Sequence, residues 1–194
     1  MTGPFLRTYL PDTLNEKEIL RYAGSKEKSL PQEATECLKA LPDGTAGRVV
    51  FALYPITENP NGLDLGFTVT DSVNLKKNLR GCSHIALFAA TAGVGFDRQV
   101  RKFERLSPAR ALWYQAIGAA YVEAVCDAFC AELRAEYGEI RPRFSPGYGD
   151  LPLSMQRDIF TALQPEKHIG VTLGENLFMT PSKSVTAIAG ILQV

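Results

Sequence analysis

Two stretches of the chain carry residues in patterns that could do chemistry. Between Ala111 and Ala131 the only charged side chains are Glu123 and Asp127, and their i, i+4 spacing puts both on one face of a helix. The rest of that stretch is Ala, Leu, Ile, Val, Cys, Gly, one Gln and aromatics, spread around most of the circumference. A helix apolar nearly all round is a buried one. A carboxylate on it must meet a cation or several donors, because an unpaired buried charge is expensive. Two readings stand at this point: a structural ion pair with a nearby arginine, or a carboxylate that receives a cationic ligand.

The second stretch is Arg141-Pro142-Arg143-Phe144-Ser145-Pro146-Gly147-Tyr148-Gly149-Asp150. Pro146 fixes its own φ and drives Ser145 toward an extended conformation. Gly147 can adopt angles closed to other residues and lets a ligand approach the main chain. An arginine fork suits a carboxylate, and a tyrosine can lie against a cation or an adenine. The same composition also describes an ordinary surface turn. Taken with the acidic helix, however, the loop completes an inventory of arginine, carboxylate and aromatic. S-adenosylmethionine, with its carboxylate, ammonium and sulfonium, calls for that inventory.

Arg143-x-x-x-Gly147-Tyr148 resembles the signature by which the activation domain of cobalamin-dependent methionine synthase holds S-adenosylmethionine. The similarity continues through Glu166-Lys167-His168, Gly170, Leu173, Met179, Pro181 and Ser184-Val185, and upstream through Ala124 and the acidic pair flanking it. Ile19 to Gly24 and Ala89 to Gly93 are similar to segments of small stand-alone proteins with this fold. The resemblance implies that Arg143 pairs with the ligand's α-carboxylate and that Glu123 faces its positively charged amino-acid end. It also implies that Ser145 offers backbone groups to the adenine, Gly147 permits close approach and Tyr148 packs near the reacting end. By the same resemblance cobalamin comes from a partner protein, and an electron comes from a flavodoxin-like or iron–sulfur donor. The domain's task is then positioning. No residue of the chain need serve as a catalytic acid or base or as a metal ligand, because the corrinoid metal is the nucleophile and a neutral thioether leaves.

Departures from the family pattern shape the expectation. Gly149 stands where a proline commonly follows the Gly-Tyr. An N-terminal segment supplying a ligand-side aspartate has no counterpart, and the chain stops at Val194, before a segment with a further ligand-side tyrosine. With no corrinoid-, folate- or homocysteine-binding domain in the sequence, the protein is expected to act in trans. Its partner would be a methionine synthase lacking its own activation domain, or another corrinoid protein. The alternative is a non-catalytic binding or scaffold module that has lost affinity for S-adenosylmethionine. A third reading, methyl transfer to another small nucleophile, needs a general base near Tyr148, and Asp150 is the candidate.

The elements that must position these residues read as α+β, in a single domain spanning 1–194, with an antiparallel or mixed twisted sheet flanked by helices. Short helices are expected at Asn15–Gly24 and Gln32–Leu41. Arg48–Pro55 and Leu63–Thr70 read as an antiparallel hairpin around the Asn59-Pro60-Asn61-Gly62 turn. Asp71 can cap a helix to Leu79, His84–Ala90 is a buried strand, and Gly93 to Asp97 leads into another helix. Pro108 opens the longest helix, to about Tyr137. A helix at Ser154–Leu163 and a strand at Val185–Leu192 complete the set.

Weaker signals have plain readings. Gly93-Val94-Gly95 hints at a phosphate-binding turn, but Arg98 stands where a dinucleotide fingerprint has its third glycine. His168 reads as a loop residue, His84 as a satisfied edge histidine, and Lys76 to Arg80 as a solvated helix face. Cys37, Cys82, Cys126 and Cys130 lack CxxC spacing and read as small buried residues of a reducing compartment, although Cys126 and Cys130 lie one turn apart. The 194 residues carry zero net charge, so no field attracts nucleic acid or an anionic membrane. No apolar run reaches bilayer length and no leader is visible, which places the protein in the cytoplasm.

Overall fold

The computed structural model describes residues 3–60 and 62–192; Asn61 of the expected turn and Val194 lie outside them. Its centre is a four-stranded sheet in the order β1-β2-β6-β9, formed by β1 (Phe5–Tyr9), β2 (Gly47–Pro55), β6 (His84–Thr91) and β9 (Ser184–Ile191). Every pair is antiparallel, with Phe51 opposite Phe88 and Phe88 opposite Ala187. Two minor ribbons complete the strands: β3 (Thr57–Asn59), β4 (Gly62–Asp64) and β5 (Val69–Thr70), then β7 (Thr172–Leu173) with β8 (Met179–Thr180). The α+β class with an antiparallel sheet is the observed one.

Period-two alternation sends the central strands' side chains into two separate cores. Val49, Phe51 and Leu53 of β2 and Ala86, Phe88 and Ala90 of β6 face one core. Val50, Ala52, Ile85, Leu87 and Ala89 face the other. A strand buried on both faces reads as a continuous apolar run, as RVVFALYP and HIALFAAT do. The first core is closed by α1 (Glu16–Tyr22), α2 (Gln32–Lys39), α4 (Gly95–Leu106) and α5 (Pro108–Tyr137). The second is closed by α3 (Val73–Asn78), α6 (Gln156–Leu163), α7 (Pro165–Ile169) and the β3–β5 ribbon.

The longest helix, α5, has 30 residues and is about 45 Å long at the standard rise. It starts where Ser107 accepts a hydrogen bond from the Arg110 amide with Pro108 in the first turn, and it stops at Gly138. It packs on the sheet and also on α1, α2 and α4, so apolar side chains are needed all round it.

Three expectations need correction. Leu63–Thr70 is not the hairpin partner of β2. Asp64 accepts a hydrogen bond from the Gly66 amide at 2.8 Å, the chain bends there, and 57–70 closes on itself as the three-stranded ribbon. β2 pairs instead with β6 and with β1, whose Arg7 and Thr8 disguise a strand at the sheet edge. The cap of α3 is Ser72, whose hydroxyl accepts from the Leu75 amide at 3.1 Å, not Asp71. His168 is not in a loop but in the last turn of α7.

Candidate functional site

After α5 the chain turns back along the outer edge of β9. Arg141 donates its amide to the Gly190 carbonyl at 2.8 Å, and Phe144 and Ile188 exchange both backbone hydrogen bonds at 2.9 Å. Ile140 pairs with Ile191 and Phe144 with Ile188, so four steps on one side match three on the other. That extra residue is a bulge, and Pro142, with no amide to donate, sits within it. The slip turns Ile140 into the first core and Phe144 into the second. It also aims Arg143 at α5.

Arg143 reaches both acidic residues of the helix. Its Nη2 lies 2.7 Å from Glu123 Oε2 and its Nη1 lies 2.6 Å from Asp127 Oδ1. The Arg143 side chain is 23% exposed, Glu123 36% and Asp127 73%, so the pair grades from the helix surface inward. Burial opposes the guanidinium charge, but the hydrogen bond to Asp127 and the charge of that carboxylate hold the Arg143 pKa above its ordinary value. The two carboxylates carry one charge more than Arg143 neutralises. Beside them is a hollow of ≈ 310 Å³ lined by Asp127, Cys130, Arg134, Pro142 and Arg143. Arg134 makes no ion pair among the described residues. Nothing in its sequence context singles Arg134 out, since it is simply the basic residue in the last turn of α5.

The turn that follows is built as its residues require. The Ser145 carbonyl accepts the Tyr148 amide at 3.2 Å, Pro146 and Gly147 are the central pair, and Gly147 has φ 87°. This is a type II turn, which demands a glycine at its third position. Tyr148 is projected outward, 70% exposed, with its ring edge-on to the buried Phe144 at 5.4 Å. It lines a second hollow, ≈ 520 Å³, with Asn74, Lys77, Asn78, Phe144 and Gly149. Asn78 ties the two regions by donating its side-chain amide to the Pro142 carbonyl at 3.2 Å.

Glu123 and Arg143 therefore meet, as the spacing anticipated, but Arg143 and Tyr148 line different hollows on the two sides of the bulged segment. The ion-pair reading of the helix carboxylates is the one observed here. Asp150 is not available as a base: its carboxylate accepts from the Ser72 hydroxyl and from the Val73 and Asn74 amides at 2.8 and 3.2 Å. Those bonds, the Ser72 one foremost, hold its pKa below the usual value. Nor is Gly93-Val94-Gly95 a phosphate cradle. A Cβ at Gly93 would stand 2.5 Å from the Gly44 carbonyl oxygen and one at Gly95 2.8 Å from that of Asp43, so these glycines admit a neighbouring loop whose carbonyls repel anions.

A family model decides the relationship: the activation domain of vitamin B12-dependent methionine synthase matches residues 56–191. The chain belongs to that family. The activation-domain fold extends beyond the matched segment, since a crystal structure titled as the MetH reactivation domain bound to AdoHcy superposes with a TM-score of 0.71. That match covers 99% of this chain and 79% of that one at 16% identity, so β1, α1 and α2 belong to the shared architecture. No curated protein matches the sequence. Among the described residues no helix of this activation domain is long and apolar enough to cross a membrane, and no group of three or more His, Cys, Asp or Glu is placed to hold a metal. The four cysteines are free; Cys37, Cys126 and Cys130 are buried, and burial pushes all four thiols up in pKa.

Proposed function

We propose that this activation domain binds S-adenosylmethionine across the bulged segment 142–148 and presents its methyl group to a corrinoid carried by a partner. The observation that carries the reading is the signature arginine, Arg143, held between Glu123 and Asp127 at the rim of an open hollow. Arg143 uses two of its five N–H groups on those carboxylates, leaving donors for a ligand. The Glu123 and Asp127 carboxylates suit the ligand's ammonium, while Arg134 and the spare Arg143 donors suit its carboxylate. The adenosine then lies beyond Pro142, with Ser145 and Gly147 main chain near the base and Tyr148 by the sulfonium end. A bound cobalamin supplies the metal nucleophile; the protein residues orient the amino-acid end and cover the reacting end from water.

The fold takes up almost all of the 194 residues, so the corrinoid comes from outside them. We assign it to a methionine synthase without its own activation domain or to another corrinoid protein, with a flavodoxin-like or iron–sulfur protein as reductant. The free thiols suit the reducing cytoplasm.

Calorimetry with S-adenosylmethionine and S-adenosylhomocysteine tests the reading. Wild type should bind both, Arg143→Ala should weaken both by at least about tenfold, and Tyr148→Ala, at an exposed position that cannot harm folding, should weaken them too. Absence of heat with the wild type overturns it. A second reading is favoured by one observation: the charge of Arg143 is already paired within the protein, by Glu123 and Asp127. On that reading the protein is a scaffold that keeps its corrinoid partner in a pull-down but binds neither small molecule.

A further inference from the structure

Two residues of the basic run after Val73, Lys76 and Arg80, lie outside the site above. They belong to a third cavity, ≈ 440 Å³, between α3, the β3–β4 ribbon and the loop that follows α3. Its volume is in the range of small-molecule sites. Leu63 and Leu79, each 4% exposed, give it an apolar floor. Its rim carries Lys76, Lys77 and Arg80 against one carboxylate, Glu58. Lys76 is 3.3 Å from that carboxylate, whereas Lys77 and Arg80 have no ion-pair partner among the described residues. The rim therefore has two cations in excess above a surface that prefers an apolar group. Two unpaired cations beside a hydrophobic floor complement one kind of ligand: an apolar ring or short chain that ends in an anion.

We propose that this cavity is a binding site for a small amphipathic anion, an aromatic or short acyl group bearing a carboxylate, sulfonate or phosphate. The proposal does not depend on binding of S-adenosylmethionine. Lys77 also borders the Tyr148 hollow, so tests are placed on Arg80, Glu58 and Val73. All three are exposed, and Val73 stands on the rim at 70% exposure.

The probes are 8-anilinonaphthalene-1-sulfonate and its neutral analogue N-phenyl-1-naphthylamine, followed by fluorescence titration. Arg80→Ala should weaken the sulfonate about fivefold, as loss of one partly exposed charge contact does. Val73→Glu should weaken it similarly by adding a like charge. Glu58→Gln should tighten it by releasing Lys76. None of the three should move the neutral analogue. Position is read from Cys82, the half-buried thiol in the cavity wall: the sulfonate should slow its alkylation by iodoacetamide, measured by peptide mass spectrometry. Unchanged affinity in both Arg80→Ala and Glu58→Gln overturns the proposal, and so does an unchanged Cys82 rate at saturating sulfonate. An acidic peptide that protects Cys82 where the sulfonate does not would overturn it in favour of a protein partner.

Discussion

At Asp150, donors from Ser72, Val73 and Asn74 converge on one exposed carboxylate at the start of α3. The bonds favour the ionised form, so the folded pKa lies below the unfolded one, which is about 3.9. Stability from this group is therefore present above that unfolded value and is lost as pH falls through the folded one. Asp150→Ala should melt lower than wild type at pH 7, and the gap should close as scans are carried into acid through the lowered folded-state pKa. A gap that persists in acid would mean that the carboxylate's charge is not what matters. Arg143 poses the complementary case. Removing it leaves two like charges at i, i+4 without a cation, a loss of about 1–3 kcal/mol. The double variant Glu123→Gln/Arg143→Met should recover most of that in urea titrations yet bind S-adenosylmethionine no better than Arg143→Ala. Recovered binding would exclude a direct role for the guanidinium.

Among the elements, α5 was readable because its signals agree. Pro108 opens it, Gly138 follows its end, and no further proline interrupts the helix between them. The buried strands β2, β6 and β9 were readable from their apolar stretches VVFAL, IALFAA and AIAGI. β1 was not, since Phe5, Arg7 and Tyr9 alternate with Leu6 and Thr8 in a pattern no more apolar than a loop. Its place is set by tertiary contacts instead: Arg7 and Tyr9 both bind Glu132 of α5, and Phe5 packs on Phe51. The site shows the same division. Glu123, Arg143 and Tyr148 stand out by residue type and spacing. The bulge that puts Arg143 and Tyr148 in separate hollows depends on register against β9, which no local pattern carries. Gly118 is a similar hidden constraint. Helix propensity favours alanine there by about 1 kcal/mol, but a Cβ would stand 2.8 Å from Cγ of the fully buried Phe96. Gly118→Ala should therefore destabilise the protein, by about 1–3 kcal/mol net, read as a lower urea midpoint at unchanged slope. A stabilised variant would mean that α4 and α5 can part without cost.

For the molecule as a whole, the sheet is a wall between two cores, and the bulged segment along its edge also plugs into both. Ile140 inserts on the α5 side and Phe144 on the α6 side, so the turn that follows is anchored by packing on both cores as well as by its hydrogen bonds. Phe144 is 7% exposed and meets Tyr148 edge-on. Its truncation to alanine removes a large side chain from the second core, a loss of about 3–5 kcal/mol where the site cannot collapse. The two faces should not respond alike. Amide hydrogen exchange in Phe144→Ala should speed up at Phe144 and Ile188, whose mutual bonds hold the segment on β9. Amides of β2 and β6, paired on both sides, should stay protected to the level of global unfolding. If Phe51 and Phe88 lose protection in step with Phe144, the edge segment and the sheet open as one unit. The turn could then not adjust to a ligand or a partner independently of the fold.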